Sequence, residues 1–458
     1  MKVFNTLSQK KEIFKPLGNT VGLYTCGPTV YHYAHIGNLR SFIFEDILKR
    51  TLLFNDYKVK HVMNITDVGH LTSDGDSGED KMLKGAKREK KTVWEIAEFY
   101  TTAFKQDISK LNIISPKVWS KATDHIQEQI DMVTQLEKKG FTYTSGGNVY
   151  FDTSKQKDYG KLVRLDLKGE MKSRVKKDVN KKNPHDFVLW FTKSKYSDQS
   201  MKWDSPWGNG YPGWHIECSA MASKYLGKQF DIHCGGMDLA PIHHTNEIAQ
   251  SEAAYGKKWV KYWMHSEFLV LSKGKKMSKS TGDFLTLSVL EDKGFNALDY
   301  RYFCLGTHYR NPLMFSIGAM ESARNARKKL FDRVLLLKGS KHEKSHNTGK
   351  KYLKQFTSEI NDDLNTSKCL AVMWDVLKSD LSDHVKYLLI LEFDKVLGFN
   401  LGSLKKVEVP ASVKKLAEER LEARNSKDWK KSDKLRDKIV KLGYSVADTK
   451  DGYEISKL

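Results

Sequence analysis

Three separated segments supply side chains that could grip one metal ion. Cys26 ends a short apolar run, residues 21–26 (VGLYTC), that reads as a strand meeting the Gly27-Pro28 turn. Cys218 closes the segment 212–218 (PGWHIEC), and His243 and Glu247 stand four apart in 241–250 (PIHHTNEIAQ). Pro241 suits a first helical turn, so His243 and Glu247 share one helix face. Two thiolates, an imidazole and a carboxylate make a donor set typical of zinc. A lone His/Glu pair is more often a surface contact. Cys234, next to His233, is a rival ligand.

A second chemistry is written in two distant stretches. Residues 24–40 (YTCGPTVYHYAHIGNLR) put His32 and His35 at a strand-to-helix turn. A helix amino terminus exposes unpaired N–H groups and the positive end of a dipole, so anions settle there. Gly37 would let a nucleotide approach the backbone, and histidine could donate to a phosphate as charge develops. Taken alone, two capping or satisfied histidines on an ordinary helix would be the better explanation. Residues 273–282 (KGKKMSKSTG) form a Gly- and Ser-containing loop dense in lysine, suited to hold a triphosphate and move with it. A solvated basic turn is the bland alternative. Each signal is ambiguous by itself; together, in this order, they are not.

The pair resembles the two signatures of class I aminoacyl-tRNA synthetases: His35-Ile36-Gly37-Asn38 is similar to the HIGH motif, and Lys276-Met277-Ser278-Lys279-Ser280 is a full KMSKS. Further segments (YTCGPTVY, PGWHIECSAM, FDIH, NEIAQ, DFVLW and the late SKDWKKSDKLRDKI) resemble the cysteine-specific family over nearly the whole chain. The resemblance implies catalytic roles for His32, His35, Lys276 and Lys279. It implies ATP contacts at Gly27, Thr29, His35, Asn38, Asp238 and Lys279, with Mg²⁺ accompanying ATP. It assigns Thr66, Trp214 and His233 to the cysteine pocket, and Cys26, Cys218, His243 and Glu247 to one zinc ion. Departures are Cys234 where glycine is usual, Thr245 where glutamate is common, and Thr281 and Asp283 after the KMSKS lysines.

The elements that must position these residues follow from periodicity. A strand at 21–26, apolar residues at helical spacing through Leu39, Ile43, Ile47 and Leu48, and a strand at 59–65 give the strand–helix–strand order of a parallel α/β sheet. Apolar runs at 187–191 (FVLWF), 230–233 and 267–271 (EFLVL) are expected to complete that sheet, with the Gly- and Lys-rich stretch before 185 as an insertion. The expected fold is α/β. A Rossmann-type parallel sheet lies in 1–120 and 186–270, and 121–185 is a connective insertion. The KMSKS loop and stem-contact region spans 271–320, a helical bundle 321–400, and a small α+β unit 401–458. By resemblance the last unit binds the anticodon.

Composition bounds the partners. Of 458 residues, 40% are hydrophobic and 29% charged, within the range of a globular domain set. No run is long and apolar enough for a membrane helix, and the amino terminus does not read as a secretory signal, so a cytoplasmic protein without a membrane partner is expected. Lys and Arg number 77 against 56 Asp and Glu, a net +21 that favours a polyanion, although a lysine-rich proteome would give the same excess. Five scattered cysteines argue against a disulfide scaffold. Residues 411–441 hold eleven Lys or Arg against six Asp or Glu, with Trp429 among them, which suits phosphate contact and base stacking. The implied partners are ATP, L-cysteine and tRNA(Cys), acting on a monomer. Two rivals remain at this point: a ligase joining cysteine to a small amine, which the basic last unit argues against, and a non-enzymatic RNA-binding zinc protein, which leaves the paired signatures without purpose.

Overall fold

The computed structural model describes residues 1–69, 71–73, 77–165, 178–193, 201–271, 275–276, 285–340, 348–405, 409–449 and 452–457. The chain divides into two compact units, Met1–Leu401 and Gly402–Leu458. The first opens with a hairpin, β1 (Lys2–Asn5) and β2 (Lys10–Ile13), and then lays down β3 (Thr20–Thr25), α1 (Ile36–Phe54) and β4 (Lys58–Ile65). The short pair β5 (Leu71–Ser73) and β6 (Ser77–Asp80) leads into α2 (Lys81–Glu89), α3 (Val93–Lys110) and β7 (Val118–Lys121). After α4 (Ile126–Lys138) come β8 (Thr142–Ser145), β9 (Asn148–Phe151), β10 (Phe187–Phe191), β11 (Tyr211–Pro212) and α5 (Trp214–Leu226). Next are β12 (Phe230–Gly236), α6 (Thr245–Tyr255), β13 (Val260–Ser266), β14 (Leu269–Leu271) and β15 (Lys275–Lys276).

The central sheet has the order β13-β12-β3-β4-β7, and every pairing in it is parallel. Five of the six residues of β3 are buried, as expected for a strand covered on both faces by helices. From β3 the chain first builds outward through β4 and β7, and later returns to build β12 and β13 on the other side. At that reversal the connections leaving β3 and β12 part, and a crevice opens beyond their carboxyl ends. Both Cys26 and Asp238 stand just past those ends.

Two runs expected in this sheet lie elsewhere. Phe187–Phe191 pairs antiparallel with β9 and β11 in a separate sheet of order β11-β10-β9-β8. Leu269–Leu271 pairs with β15 and with β16 (Leu313–Phe315) in a three-stranded sheet. An apolar run reports burial on both faces and carries nothing about which strand lies beside it. The fifth central strand is instead β13, whose VKYWMHS mixes polar and apolar residues.

The segment read as an insertion is welded to the site rather than appended to it. Ile130, Val133 and Leu136 of α4, with Phe151, Phe187 and Trp190, share one hydrophobic cluster with Ile216 and Ala220 of α5 and Ala249 and Ala253 of α6. Those two helices carry Cys218 and Glu247. The remainder of the first unit is helical: α7 (Leu287–Asp292) and α8 (Ala297–Leu305), then α9 (Ile317–Lys338), α10 (Lys350–Ile360), α11 (Thr366–Lys378) and α12 (Asp383–Leu397). Arg301 of α8 is fully buried, its Nη2 2.6 Å from Asp46 Oδ2 of α1 while its Nε donates to Leu397 O. Removing one partner of such a pair typically costs about 3–5 kcal/mol.

The second unit packs α13 (Ala411–Asn425) and α14 (Trp429–Lys441) against the hairpin of β17 (Tyr444–Thr449) and β18 (Gly452–Lys457) around Val413, Ala417, Ile439 and Tyr444. Among the described residues no helix is long and apolar enough to cross a membrane.

Candidate functional site

Two groups of described residues have donor atoms close enough to share an ion, each group lying within 4.8 Å of one another: Cys26, Cys218, His243 and Glu247, and Cys26, His233, His244 and Glu247. A tetrahedral ion with bonds of about 2.0–2.3 Å spaces its donors by about 3.3–3.8 Å, so either group can close on one ion. Cys26 leaves the end of β3, with its N–H donating to Cys234 O at 3.1 Å. Cys218 projects from α5, His243 from a π-helical turn (Ala240–His244) and Glu247 from α6. His243 Nε2 lies 2.6 Å from Glu247 Oε1, and His233 Nε2 lies 2.6 Å from Glu247 Oε2.

Surroundings separate the two groups. Cys26, Cys218 and His243 line a cavity of about 240 Å³. His233 and His244 are fully buried and already committed: His233 stacks on Trp263 at 4.6 Å, and His244 bridges Cys26 Sγ (3.2 Å) and His265 Nε2 (2.7 Å). His265 Nδ1 in turn meets Thr6 Oγ1 at 2.8 Å. His243 is held by His215, Nδ1 to Nδ1 at 3.0 Å, and by the Trp214 ring at 4.4 Å. Three of the first group's four donors therefore face the cavity, with Glu247 behind them, and the second group's histidines contact Glu247 and Cys26 from inside.

The buried donors are strongly coupled to one another. Burial raises the Cys26 thiol well above its ordinary pKa, and the neighbouring Cys218 adds to the rise. For Cys218 burial also opposes ionisation, yet the hydrogen bond to Cys26 and the nearby His243 together outweigh it and the pKa falls. Burial disfavours the charged form of both His243 and Glu247, and their mutual attraction overrides it. Glu247, flanked by His233 and His243, falls to about 2, while His243 rises to about 10. Buried charges and thiols so close, in a dry pocket, are costly unless paired or bound to metal.

The opposite wall of the cavity is the start of α1. His35 is the N-cap, its Nδ1 accepting from Asn38 N at 3.0 Å. A neutral ring that accepts at Nδ1 carries its proton on Nε2, which makes that nitrogen a donor. The space over Gly37 is taken by this ring: a Cβ there would stand 3.0 Å from His35 Nδ1 and Cε1. Glycine at 37 thus admits the histidine ring, a packing reason beside the close nucleotide approach expected of it. At Gly27 a Cβ would meet Asn64 O at 1.8 Å, so only glycine fits there.

The chain matches the model of the class I (C) tRNA synthetase catalytic domain over residues 13–325, and that of the cysteinyl-tRNA ligase anticodon binding domain over 406–455. It is 49% identical to a cysteine–tRNA ligase of Treponema denticola, covering 98% of each chain, and 45% identical to cysteine–tRNA ligase 1 of Burkholderia lata, covering 99% of this chain and 96% of that one. The chain belongs to the cysteinyl-tRNA synthetase family. Among solved structures, a Mycobacterium tuberculosis methionyl-tRNA synthetase bound by methionyl-adenylate aligns over 84% of this chain and 93% of its own with a TM-score of 0.57. At 14% identity that likeness concerns the fold alone.

Most residues singled out from the sequence of this synthetase meet around the one cavity: Gly27, Thr29, His32, His35, Asn38, Thr66, Trp214 and Asp238 line it with the metal donors. Thr66 is fixed by Asn64, which donates to its hydroxyl at 3.0 Å, and by Glu217, to which it donates at 3.1 Å. His233, expected in the cysteine pocket, stands behind Glu247 as its hydrogen-bond partner. Of the KMSKS lysines, Lys276 is described only as backbone, paired with Val270 in β15, and Lys279 lies outside the described residues. Cys234 is buried in β12 and belongs to neither donor group. Sequence reasoning missed His215, His244 and His265, which hold the donors. It also missed Lys81, which lines the cavity and sits 5.2 Å over the Trp214 ring. The cluster of histidines in PGWHIE, IHH and MHS was a readable signal; for Lys81 there was none.

Proposed function

We propose that this chain is a cysteine–tRNA ligase in which a zinc ion held by Cys26, Cys218, His243 and Glu247 selects the substrate thiol. The single observation that carries this reading is that four buried donors cluster within 4.8 Å of one another, three of them lining the same cavity as a histidine-capped helix start. One Lewis-acidic, sulfur-seeking ion in that corner would bind a thiolate far better than a hydroxyl. Shape alone separates side chains differing by one small group by only about 1–3 kcal/mol, too little to reject serine.

The chain's own residues do the remaining work. The cysteine carboxylate oxygen attacks the α-phosphorus of ATP, the new C–O–P link forms, and the α–β P–O bond breaks to release pyrophosphate. His35 donates from Nε2 to the α-phosphate as negative charge grows, and the α1 dipole favours the same charge. Asp238, past the end of β12, accepts from ribose hydroxyls. Lys276 and Lys279 place cations on the departing pyrophosphate, with Mg²⁺ accompanying ATP. A hydroxyl of the 3'-terminal adenosine of tRNA(Cys) then attacks the carbonyl carbon and AMP leaves. Residues 402–458 hold the anticodon; the enzyme acts as a monomer in the cytoplasm. Incubating the purified chain with ATP, bulk tRNA and each of the twenty amino acids tests the reading: cysteine alone should be esterified, and preferential esterification of another would refute it.

A further inference from the structure

From the phosphate side of the cavity a line of aromatic rings runs outward to solvent. His32 stacks on Tyr100 with centroids 5.9 Å apart and ring planes 9° from parallel. Tyr100 is buried, and it supports two outer rings edge-on: Tyr33 at 5.0 Å and 88°, and Phe99 at 5.0 Å and 85°. Tyr33 both lines the cavity and is 37% exposed; Phe99 is 39% exposed, and Trp94 on the same helix is 52% exposed. Large apolar rings left in water beside a cavity mouth, Tyr33 and Phe99 locked from below by Tyr100, are a preformed stacking surface.

Cations flank the rings. Lys91 Nζ lies 4.2 Å from the Phe99 centroid and Arg88 lies 5.8 Å from that of Tyr100. Arg88 is fixed by donating to Tyr31 O at 3.0 Å, to the Tyr100 hydroxyl at 2.9 Å and from Nε to Glu89 Oε1 at 2.9 Å, so Lys91 is the cation of the ledge less engaged by an acid. Residues 81–91 contain six Lys or Arg and one acid, Glu89. Exposed rings interleaved with cations are what an unpaired polynucleotide requires: bases stack on the rings and phosphates meet the cations. The ledge's continuity with the cavity, through Tyr33, favours the RNA that must enter there over any other partner.

We propose that the ledge formed by Tyr33, Phe99, Lys91 and Arg88 binds the unpaired 3' end of the RNA substrate as it enters the cavity. The proposal rests on the function inferred above, and geometry supplies the link. The terminal adenosine must reach the aminoacyl group inside the cavity, so the nucleotides before it must cross the mouth, and Tyr33 spans inside and outside.

The test compares the full-length chain with Phe99→Ala, Lys91→Ala and Phe99→Tyr, using tRNA(Cys) transcripts with and without their last three nucleotides. Cysteine-dependent ATP–pyrophosphate exchange should be unchanged in all three variants. Charging efficiency should fall about tenfold in Phe99→Ala, less in Lys91→Ala, and be restored in Phe99→Tyr. Trimming the tRNA should weaken its binding to the unaltered chain several-fold and its binding to Phe99→Ala hardly at all. Equal charging by all variants, or parallel losses of exchange and charging, would overturn the proposal. If the unaltered chain itself failed to charge tRNA(Cys), the functional reading would fail instead.

Discussion

The two corners of the cavity are built on opposite plans. The donor corner is dry and overdetermined: Cys26, Cys218, His243 and Glu247 are each held by buried partners, and the supporting chain His244–His265–Thr6 runs inside the protein. The phosphate corner is a helix end capped by one imidazole, that of His35. The first is suited to recognise a small group whose position never changes. The second suits a group that arrives bulky, develops charge and departs. On the proposed reading, selection falls to the first corner and phosphate chemistry to the second.

If that division is right, damage on one side should leave the other nearly intact. Lys279→Ala should slow adenylate formation by about 10²–10³-fold, the usual loss for one transition-state donor. Cysteine affinity and bound metal should stay unchanged; equal losses in both would place Lys279 in ground-state binding. Cys218→Ser should act in reverse, lowering metal content and cysteine activation together by about 100-fold or more. A variant that keeps its metal removes Cys218 from the donor set.

Smaller effects divide the corners more finely. His215→Ala removes the partner of His243 Nδ1, 3.0 Å away, and should weaken metal affinity about 10–100-fold, measured by competition with a chelator. At the helix start, His35→Asn keeps a side-chain cap but loses the Nε2 donor, whereas His35→Ala loses both. Stability of the alanine variant should fall about 1 kcal/mol below that of the asparagine variant in denaturant titration, while both lose adenylation rate. Equal stabilities would mean that the cap adds nothing.

The donor corner was more legible in the sequence than its scaffold. His243 and Glu247 could be paired because helical spacing is local, and Cys26 could be placed because a strand end is local. His265 could not: it reaches the site through the register of two parallel strands, where it lies opposite Gly235. The Phe187–Phe191 run was read as central strand and lies in the neighbouring antiparallel sheet, because hydrophobicity encodes burial and leaves the partner open. At the other corner, Gly37 was read as leaving room for a nucleotide, and only the folded chain shows that the His35 ring packs over it as well. Local chemistry was readable; long-range registration was not.

The central claim is that sulfur is chosen by bonding to a metal in the donor corner. Replacing the metal with cobalt(II) makes that bond visible, because each thiolate adds charge-transfer absorption in the near ultraviolet. Adding L-cysteine without ATP should increase this absorption by one further thiolate while L-serine leaves it unchanged. A spectrum indifferent to cysteine, from a protein that still activates cysteine and rejects serine, would contradict the account.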